Sequence, residues 1–136
     1  MNETLPTARE LEVLKVLWQL ERATVREVYD VLRPEEGTLA YTTVLSLLQI
    51  MEQKGLVGRE SEGRAHTFFP LAPKESTFQR LAGQFLDRVF DGAVEEYLVR
   101  ALESRAVSDA ELAELEQRIA EARRRGRDAA RKGRNP

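Results

Sequence analysis

Apolar residues recur every three or four positions in three consecutive stretches near the start of the chain, which is the spacing of one buried helix face. The first two stretches each follow a threonine with a glutamate three residues later, TARE from Thr7 and TVRE from Thr24. A threonine can cap the first amides of a helix while the glutamate reaches back, so both motifs predict helix starts. We expect the first helix to end near Leu20 and the second at Arg33, because Pro34 disfavours helix in the residue before it.

The third stretch, Leu39 to Lys54, has one apolar side and one polar side that carries no charge. The apolar side should pack on the first two helices, and it consists of Val44, Leu47, Leu48 and Met51, with Leu45 at its edge. The uncharged strip on the opposite side consists of Thr42, Ser46, Gln49 and Gln53. Surface helices are usually rich in Glu and Lys, so a strip without either favours a binding function, and a merely solvated helix face is the alternative.

A glycine and two strand patterns follow this third helix. Gly55 suits the left-handed conformation that closes a helix, and the segments LVGRE and AHTFFP predict two strands around a polar turn at SEGR. Three helices and a hairpin in residues 1–72 are the order of a winged helix-turn-helix, in which the third helix enters the major groove of DNA. We therefore predict a mainly α fold with a β-hairpin wing.

From Lys74 onward the pattern predicts helices only, one of them starting at the SDAE motif of Ser108. Their apolar stripes form a thin set by themselves, so we predict that residues 73–125 are a helical dimerisation region, and folding back on the first domain is the alternative. The residues expected at the dimer contact are Phe78, Leu81, Phe85, Val89, Val94, Tyr97, Leu98, Leu102, Leu112, Leu115 and Ile119. We expect residues 126–136 to form a basic tail without regular structure.

Composition limits the partners and the compartment. The chain has 136 residues, and no apolar run approaches the ~18 residues that cross a bilayer, so we expect no membrane insertion. The first residues lack a secretion signal, which favours the cytoplasm. The absence of cysteine excludes disulfides, thiolate metal sites and cysteine nucleophiles. Residues 1–72 carry a net charge of −3 and residues 118–136 a net charge of +6, so the first domain lacks the basic excess common in nucleic-acid binders.

The residue types on the uncharged strip suit the edges of base pairs. Thr, Ser and Gln side chains can meet both the hydrogen-bonding groups and the thymine methyl, whereas long charged side chains bind phosphate without reading sequence. We expect phosphate contacts from the hairpin and the helix ends, at Arg59, Arg64, His66, Arg26, Tyr41 and Lys54. With so few basic groups, useful specificity requires a dimer that binds two half-sites of double-stranded DNA about one helical turn apart.

Two other classes of function compete with DNA binding. Catalysis is disfavoured because the chain has one histidine, no cysteine and no glycine-rich phosphate loop, and for the same reason we expect no metal or cofactor. A helical adaptor that binds only protein explains the C-terminal helices equally well. It leaves the uncharged strip and the hairpin without a purpose.

Several motifs occur together in the order and spacing of a known family. LEVLKVLW lies in the first helix, TVREVYDVL in the second, AYTTV at the start of the third, KGLV before the hairpin and GRAHTFFP in its second strand. With these motifs the chain resembles the penicillinase-repressor family, the BlaI/MecI/CopY type of bacterial winged-helix regulators, as far as Arg124.

This resemblance implies a homodimer that represses transcription from a palindromic operator, with wing contacts near Arg64. The recognition residues correspond to Tyr41, Thr42, Thr43 and Ser46. In the antibiotic-responsive branch, a membrane sensor metalloprotease drives cleavage of the dimerisation region at an asparagine-phenylalanine bond. The corresponding bond here joins Arg100 and Ala101, which differs from that pair. The copper-responsive branch carries a cysteine motif that this chain lacks.

Overall fold

A computed structural model describes residues 4–134 apart from the side chains of Glu62 and Arg134, and in this part it contains six helices and three strands. The helices are α1 (Ala8–Leu20), α2 (Val25–Leu32), α3 (Tyr41–Gln53), α4 (Lys74–Phe90), α5 (Val94–Ser104) and α6 (Asp109–Arg134). The strands are β1 (Ala23–Thr24), β2 (Val57–Glu62) and β3 (Ala65–Pro70). The chain divides into two compact units, Met1–Arg88 and Val89–Pro136.

Side-chain caps confirm three of the predicted helix starts. At α1, the Thr7 hydroxyl accepts from the Glu10 amide at 3.2 Å and the Glu10 carboxylate accepts from the Thr7 amide at 2.9 Å. Thr24 and Glu27 form the same reciprocal pair at α2, with distances of 3.1 and 2.9 Å. At α6, the Ser108 hydroxyl accepts from the Glu111 amide at 3.1 Å. Each cap satisfies amides that the helix itself leaves without a partner.

The end of α3 turns the chain into the hairpin through a Schellman motif. Gly55 has φ 80°, a backbone angle that residues with a Cβ atom rarely adopt. Its amide donates to the Glu52 carbonyl at 3.1 Å, and the Leu56 amide donates to the Met51 carbonyl at 2.9 Å. These bonds satisfy the last carbonyls of the helix, so β2 can begin directly afterwards. α3 itself starts at Tyr41 rather than at the predicted Leu39.

The hairpin is the main part of a three-stranded antiparallel sheet with strand order β1-β3-β2. β2 and β3 pair from Val57 opposite Pro70 to Glu62 opposite Ala65, so the turn is shorter than the predicted SEGR segment. Gly63 takes φ 64°, a conformation that two-residue hairpin turns require. β1 was not predicted, because two residues carry no strand periodicity.

The core of the first unit lies between the three helices and the sheet. Its buried hydrophobic residues are Val13, Leu14, Val16, Leu17, Ala23, Val25, Val28, Leu39, Val44, Leu48, Met51, Val57 and Phe68. The predicted apolar side of α3 supplies three of its fully buried members. Edge-to-face contact between Trp18 and Phe78, with centroids 5.7 Å apart, adds the start of α4 to this unit. This compact unit therefore includes most of α4, as far as Arg88.

The link between β3 and α4 is held on both sides. The Trp18 indole donates to the Ala72 carbonyl at 3.0 Å, and the Leu71 amide donates to the Leu56 carbonyl at 3.1 Å. The Thr77 hydroxyl donates to the Pro73 carbonyl at 3.1 Å, inside the first turn of α4. These bonds fix the start of α4 against the core of the first unit.

The second unit is helical, and no residue of its described part is buried. α6 continues to Arg134, so the prediction of a tail without regular structure is wrong up to that residue. Arg, Lys and Ala are strong helix formers, and extending an established helix avoids the cost of a new nucleus. Residues 135–136 of the predicted tail lie outside the described part. No helix in residues 4–134 is both long and apolar enough to span a membrane.

Candidate nucleic-acid interface

The uncharged strip of α3 faces solvent, as predicted. Thr42, Ser46, Gln49 and Gln53 all lie on the accessible side, while Val44, Leu48 and Met51 on the opposite side are buried. From residue 42 to residue 53 the strip rises roughly 16 Å along the helix axis. The major groove of B-DNA is about 12 Å wide and admits an α-helix, so this strip has the dimensions of a groove-reading face.

Two tyrosines and two arginines cluster at the start of α3. The rings of Tyr29 and Tyr41 meet edge to face at 5.8 Å, and the Arg26 guanidinium lies 6.0 and 5.9 Å from their centroids. Arg33 lies 5.9 Å from the Tyr29 ring. Arg26 and Tyr41 were predicted as phosphate contacts, and this role stays a prediction, whereas Arg33 was predicted only as the end of the second helix. The cluster places two positive groups at one end of the uncharged strip.

The first turn of α3 differs from those of α1 and α2 because no side chain caps it. Ala40 occupies the N-cap position and has no oxygen to offer. The amides at a helix N-terminus carry partial positive charge and attract anions. Thr43, a predicted recognition residue, lies in this turn and is exposed. A DNA phosphate can therefore take the place of the missing cap.

Two ion pairs connect the wing to the rest of the first unit, and one of them involves the predicted contact Arg59. The Arg59 Nε atom lies 3.4 Å from the Glu52 carboxylate on α3. Arg22, which precedes β1, pairs with Glu60 on β2 and lies 5.6 Å from the Phe69 ring centroid. Arg22 was missed, since its contact with the wing depends on strand β1. The side chains of both pairs are 35–54% exposed, so each pair contributes little to stability.

Arg64 and His66 lie at the tip of the wing. Arg64 occupies the turn after Gly63, and its side chain is exposed. The His66 ring accepts or donates a 2.9 Å hydrogen bond with the hydroxyl of Ser61, its cross-strand neighbour. Arg64 is therefore exposed at the end of the hairpin, and its contact with the DNA backbone stays a prediction. A phosphate contact of His66 stays a prediction.

Lys54 already has an acidic partner inside the first unit. Its ammonium lies 2.9 Å from one oxygen and 3.0 Å from the other of Glu10, a carboxylate that is almost fully buried. Burial alone would raise the pKa of Glu10, but hydrogen bonds from the Thr7 amide and from Lys54, together with the charge of Lys54, outweigh it and lower the pKa below its ordinary value. This pair is missed from sequence because its members are far apart in the chain. A phosphate contact of Lys54 stays a prediction, and it would share the ammonium with Glu10.

The residues predicted for dimerisation lie on α4, α5 and α6, and most are exposed in the single chain. Their exposed fraction ranges from 37% for Phe78 to 54% for Val94 among the large hydrophobic residues that face solvent. Arg100 and Ala101, the predicted cleavage pair, lie inside α5, where Arg100 is 3.4 Å from Glu103. A bond within a helix must unwind before a protease can cut it.

Three helices, a small antiparallel sheet and a third helix with an exposed, uncharged strip define a winged-helix protein. The structure of a MarR family protein from Bacillus stearothermophilus has the same fold, with a TM-score of 0.50 over 88% of this chain and 74% of that chain at 21% identity. The predicted fold class is therefore confirmed.

The chain belongs to the penicillinase repressor family, whose model matches residues 6–121. It is 33% identical over 114 residues to the transcriptional regulator BlaI of Mycobacterium tuberculosis, covering 79% of this chain and 82% of that protein. It is 28% identical over 112 residues to the penicillinase repressor of Bacillus licheniformis, covering 82% of this chain and 87% of that protein. The family consists of transcriptional repressors and not enzymes, so the predicted class of function is confirmed.

Proposed function

We propose that this protein is a homodimeric repressor that binds a palindromic operator, with the uncharged strip of α3 in the major groove of each half-site. The observation that carries the proposal is the exposure of Thr42, Ser46 and Gln49 on one line, directly opposite the buried side of the same helix. Short hydroxyl and amide groups can exchange hydrogen bonds with base edges. Membership of a family of transcriptional repressors supports the same role.

Phosphate contacts position this helix. Arg26 on α2, which contacts the Tyr41 ring at the start of α3, and Arg64 at the wing tip lie outside the ion pairs of the described side chains, so both are available to contact the backbone. Residues 1–72 carry a net charge of −3, so the non-specific attraction of one such domain for DNA is weak. Two such domains held together in a dimer bind more tightly, because the second binding event becomes intramolecular.

Release of the repressor by proteolysis is a separate part of the proposal. The bond between Arg100 and Ala101 lies in a helix of the second unit, and cleavage there would separate the two DNA-binding domains of a dimer. Loss of effective concentration can weaken binding by roughly 10²–10⁴ without altering any DNA contact. A membrane sensor protease remains a predicted partner, and its test is cleavage of this chain at a mapped bond during induction.

Selection from random-sequence DNA, followed by affinity measurements on the enriched site, tests the base-reading role. We expect an enriched palindrome, and we expect Thr42→Ala, Ser46→Ala and Gln49→Ala each to relax sequence preference by about 1–3 kcal/mol at one base-pair position per half-site. Gln19→Ala on α1 is the matched control, because Gln19 is exposed but lies outside the strip, and it should leave both affinity and preference unchanged.

Equal loss of affinity on every DNA sequence would contradict base reading by the strip, since that result identifies a phosphate contact. The absence of any enriched palindrome, combined with capture of a protein partner, would favour the helical adaptor instead. Each variant should keep the dimer mass and the helical content of the unaltered protein.

A further inference from the structure

Charge is divided sharply along α6. Residues 109–121 contain five Asp and Glu and one Arg, whereas residues 122–134 contain seven Lys and Arg and one Asp, so the second half carries a net charge of +6. The family match ends at residue 121, at the border between the two halves. The basic half is therefore an addition to the matched part of the chain.

Within the described side chains, the cations of this basic half have no carboxylate partner. Arg118 in the acidic half pairs with Glu114 at 3.1 Å and with Glu121 at 3.8 Å, but no such pair involves Arg123, Arg124, Arg125, Arg127, Arg131 or Lys132. The helix dipole favours cations only in the last turn. That effect accounts for Arg131 and Lys132 but not for the arginines two turns earlier.

Four of these arginines also share a face. At 100° per residue, Arg123, Arg124, Arg127 and Arg131 fall within a sector of about 100°. The apolar line of Leu112, Leu115 and Ile119 continues along another side of the helix through alanine and glycine only. After Ile119 the helix has no large apolar residue, so it lacks the hydrophobic face by which membrane-surface helices and coiled coils bind.

We propose that residues 123–134 form a second DNA-binding element, which contacts backbone phosphates outside the groove read by α3. The proposal rests on the proposed DNA-binding function and extends it. Twelve helical residues span roughly 18 Å, which is the rise of about five base pairs. Flexible arginines without carboxylate partners suit phosphates, because each neutralised phosphate releases a condensed counterion. This element supplies the positive charge that the first unit lacks.

A charge-removal variant tests the proposal in the full chain. Arg123, Arg124, Arg127 and Arg131 are all changed to Gln, and the matched control changes the same four residues to Lys. Binding to the selected operator and to a random duplex is measured across a salt series. We expect the Gln variant to bind both DNAs more weakly by the same factor, about tenfold or more, and its log–log salt slope to fall by about 0.9 for each phosphate that it no longer neutralises. The Lys variant should match the unaltered protein.

The outcomes separate this inference from the proposed function. An unchanged salt slope in the Gln variant, with an intact palindrome preference, would overturn the second element and leave the operator function standing. Loss of dimer mass in the Gln variant would also overturn it, because the basic half would then pair with the acidic half of a second copy. Conversely, a lower salt slope without any enriched palindrome would support the element and contradict operator reading.

Discussion

The two units of this chain differ in how much of their apolar surface is buried. In the first unit, Leu17, Leu48 and Met51 have no exposed surface at all, and the core is closed by helices and wing together. In the second unit, Val94 is 54% exposed and Ile119 is 49% exposed. The first unit therefore has its own buried core, whereas the second leaves large apolar side chains exposed in the single chain.

A second copy of the chain is the simplest partner that could cover these exposed side chains. Burying a large hydrophobic side chain contributes about 1.5–3 kcal/mol, and several such residues on each chain offset an association cost of about 4–15 kcal/mol. The difference between the units assigns them different tasks. We expect the first unit to carry DNA recognition and the second to join two copies of the chain.

The largest expected effect comes from a charge in the surface proposed for dimerisation. Leu98→Asp places an unpaired carboxylate among apolar side chains of α5, which burial strongly disfavours. We expect dissociation to monomers and a loss of operator affinity of roughly 10²–10⁴. Analytical ultracentrifugation gives the mass, and fluorescence anisotropy gives the affinity. An unchanged dimer with unchanged affinity would contradict the division of tasks.

Leu48→Ala in the core of the first unit is the contrasting change. It should lower the free energy of unfolding of the first unit by about 2–5 kcal/mol through the cavity that it leaves. This loss should not depend on protein concentration, whereas the effect of Leu98→Asp should. If both variants showed the same concentration dependence, the two units would not be separate in their energetics.

A smaller effect is expected at the ion pair inside the first unit. Glu10→Gln removes the negative partner of Lys54 while keeping a side chain that can cap Thr7, and we expect it to cost about 1–3 kcal/mol at pH 7. Because the pKa of Glu10 is lowered in the folded state, its carboxylate stabilises the fold above the ordinary Glu pKa, and this contribution disappears as pH falls through the lowered value. Denaturant unfolding at several pH values measures it.

Glu12→Gln is the matched control for this pair, since Glu12 lies exposed on the same helix. It should change stability little at any pH. The difference in unfolding free energy between Glu10→Gln and the unaltered protein should shrink steadily as the solution is made more acidic. A difference that stayed constant with pH would show that the carboxylate charge is not what stabilises this site.

The smallest expected effect concerns the joint between α3 and the wing. Gly55→Ala forces a side chain into φ 80°, although nothing lies within 4 Å of the added atom, so the cost is one of backbone conformation alone. We expect a loss of about 1 kcal/mol in the free energy of unfolding. Gly37→Ala, at an open site without positive φ, should be neutral or slightly stabilising. Equal effects of the two variants would rule out strain at Gly55.

Local signals predicted most of the fold. Thr7, Thr24 and Ser108 marked helix starts because a capping motif acts over three residues, and Gly55 marked a helix end for a similar reason. The uncharged strip followed from helical period alone. The family resemblance rested on motifs confined to single elements.

Features that depend on distant residues could not be predicted. The pair of Glu10 and Lys54 joins two helices, and β1 exists only because β3 lies beside it. The continuation of α6 past Gly126 was missed because charge and small residues were read as disorder, although most of them are strong helix formers. The burial of Glu10 and the ion-pair partners of Arg59 and Arg22 could not be predicted from the sequence for the same reason.

Hydrogen bonds fix the link between β3 and α4 within the first unit. Trp18 and Leu71 hold the chain where it leaves the sheet, so no slack is available at this point. In the proposed dimer, we expect this fixed start of α4 to limit how far each recognition helix can move. Operator affinity should then depend on the distance between the two half-sites as well as on their sequence.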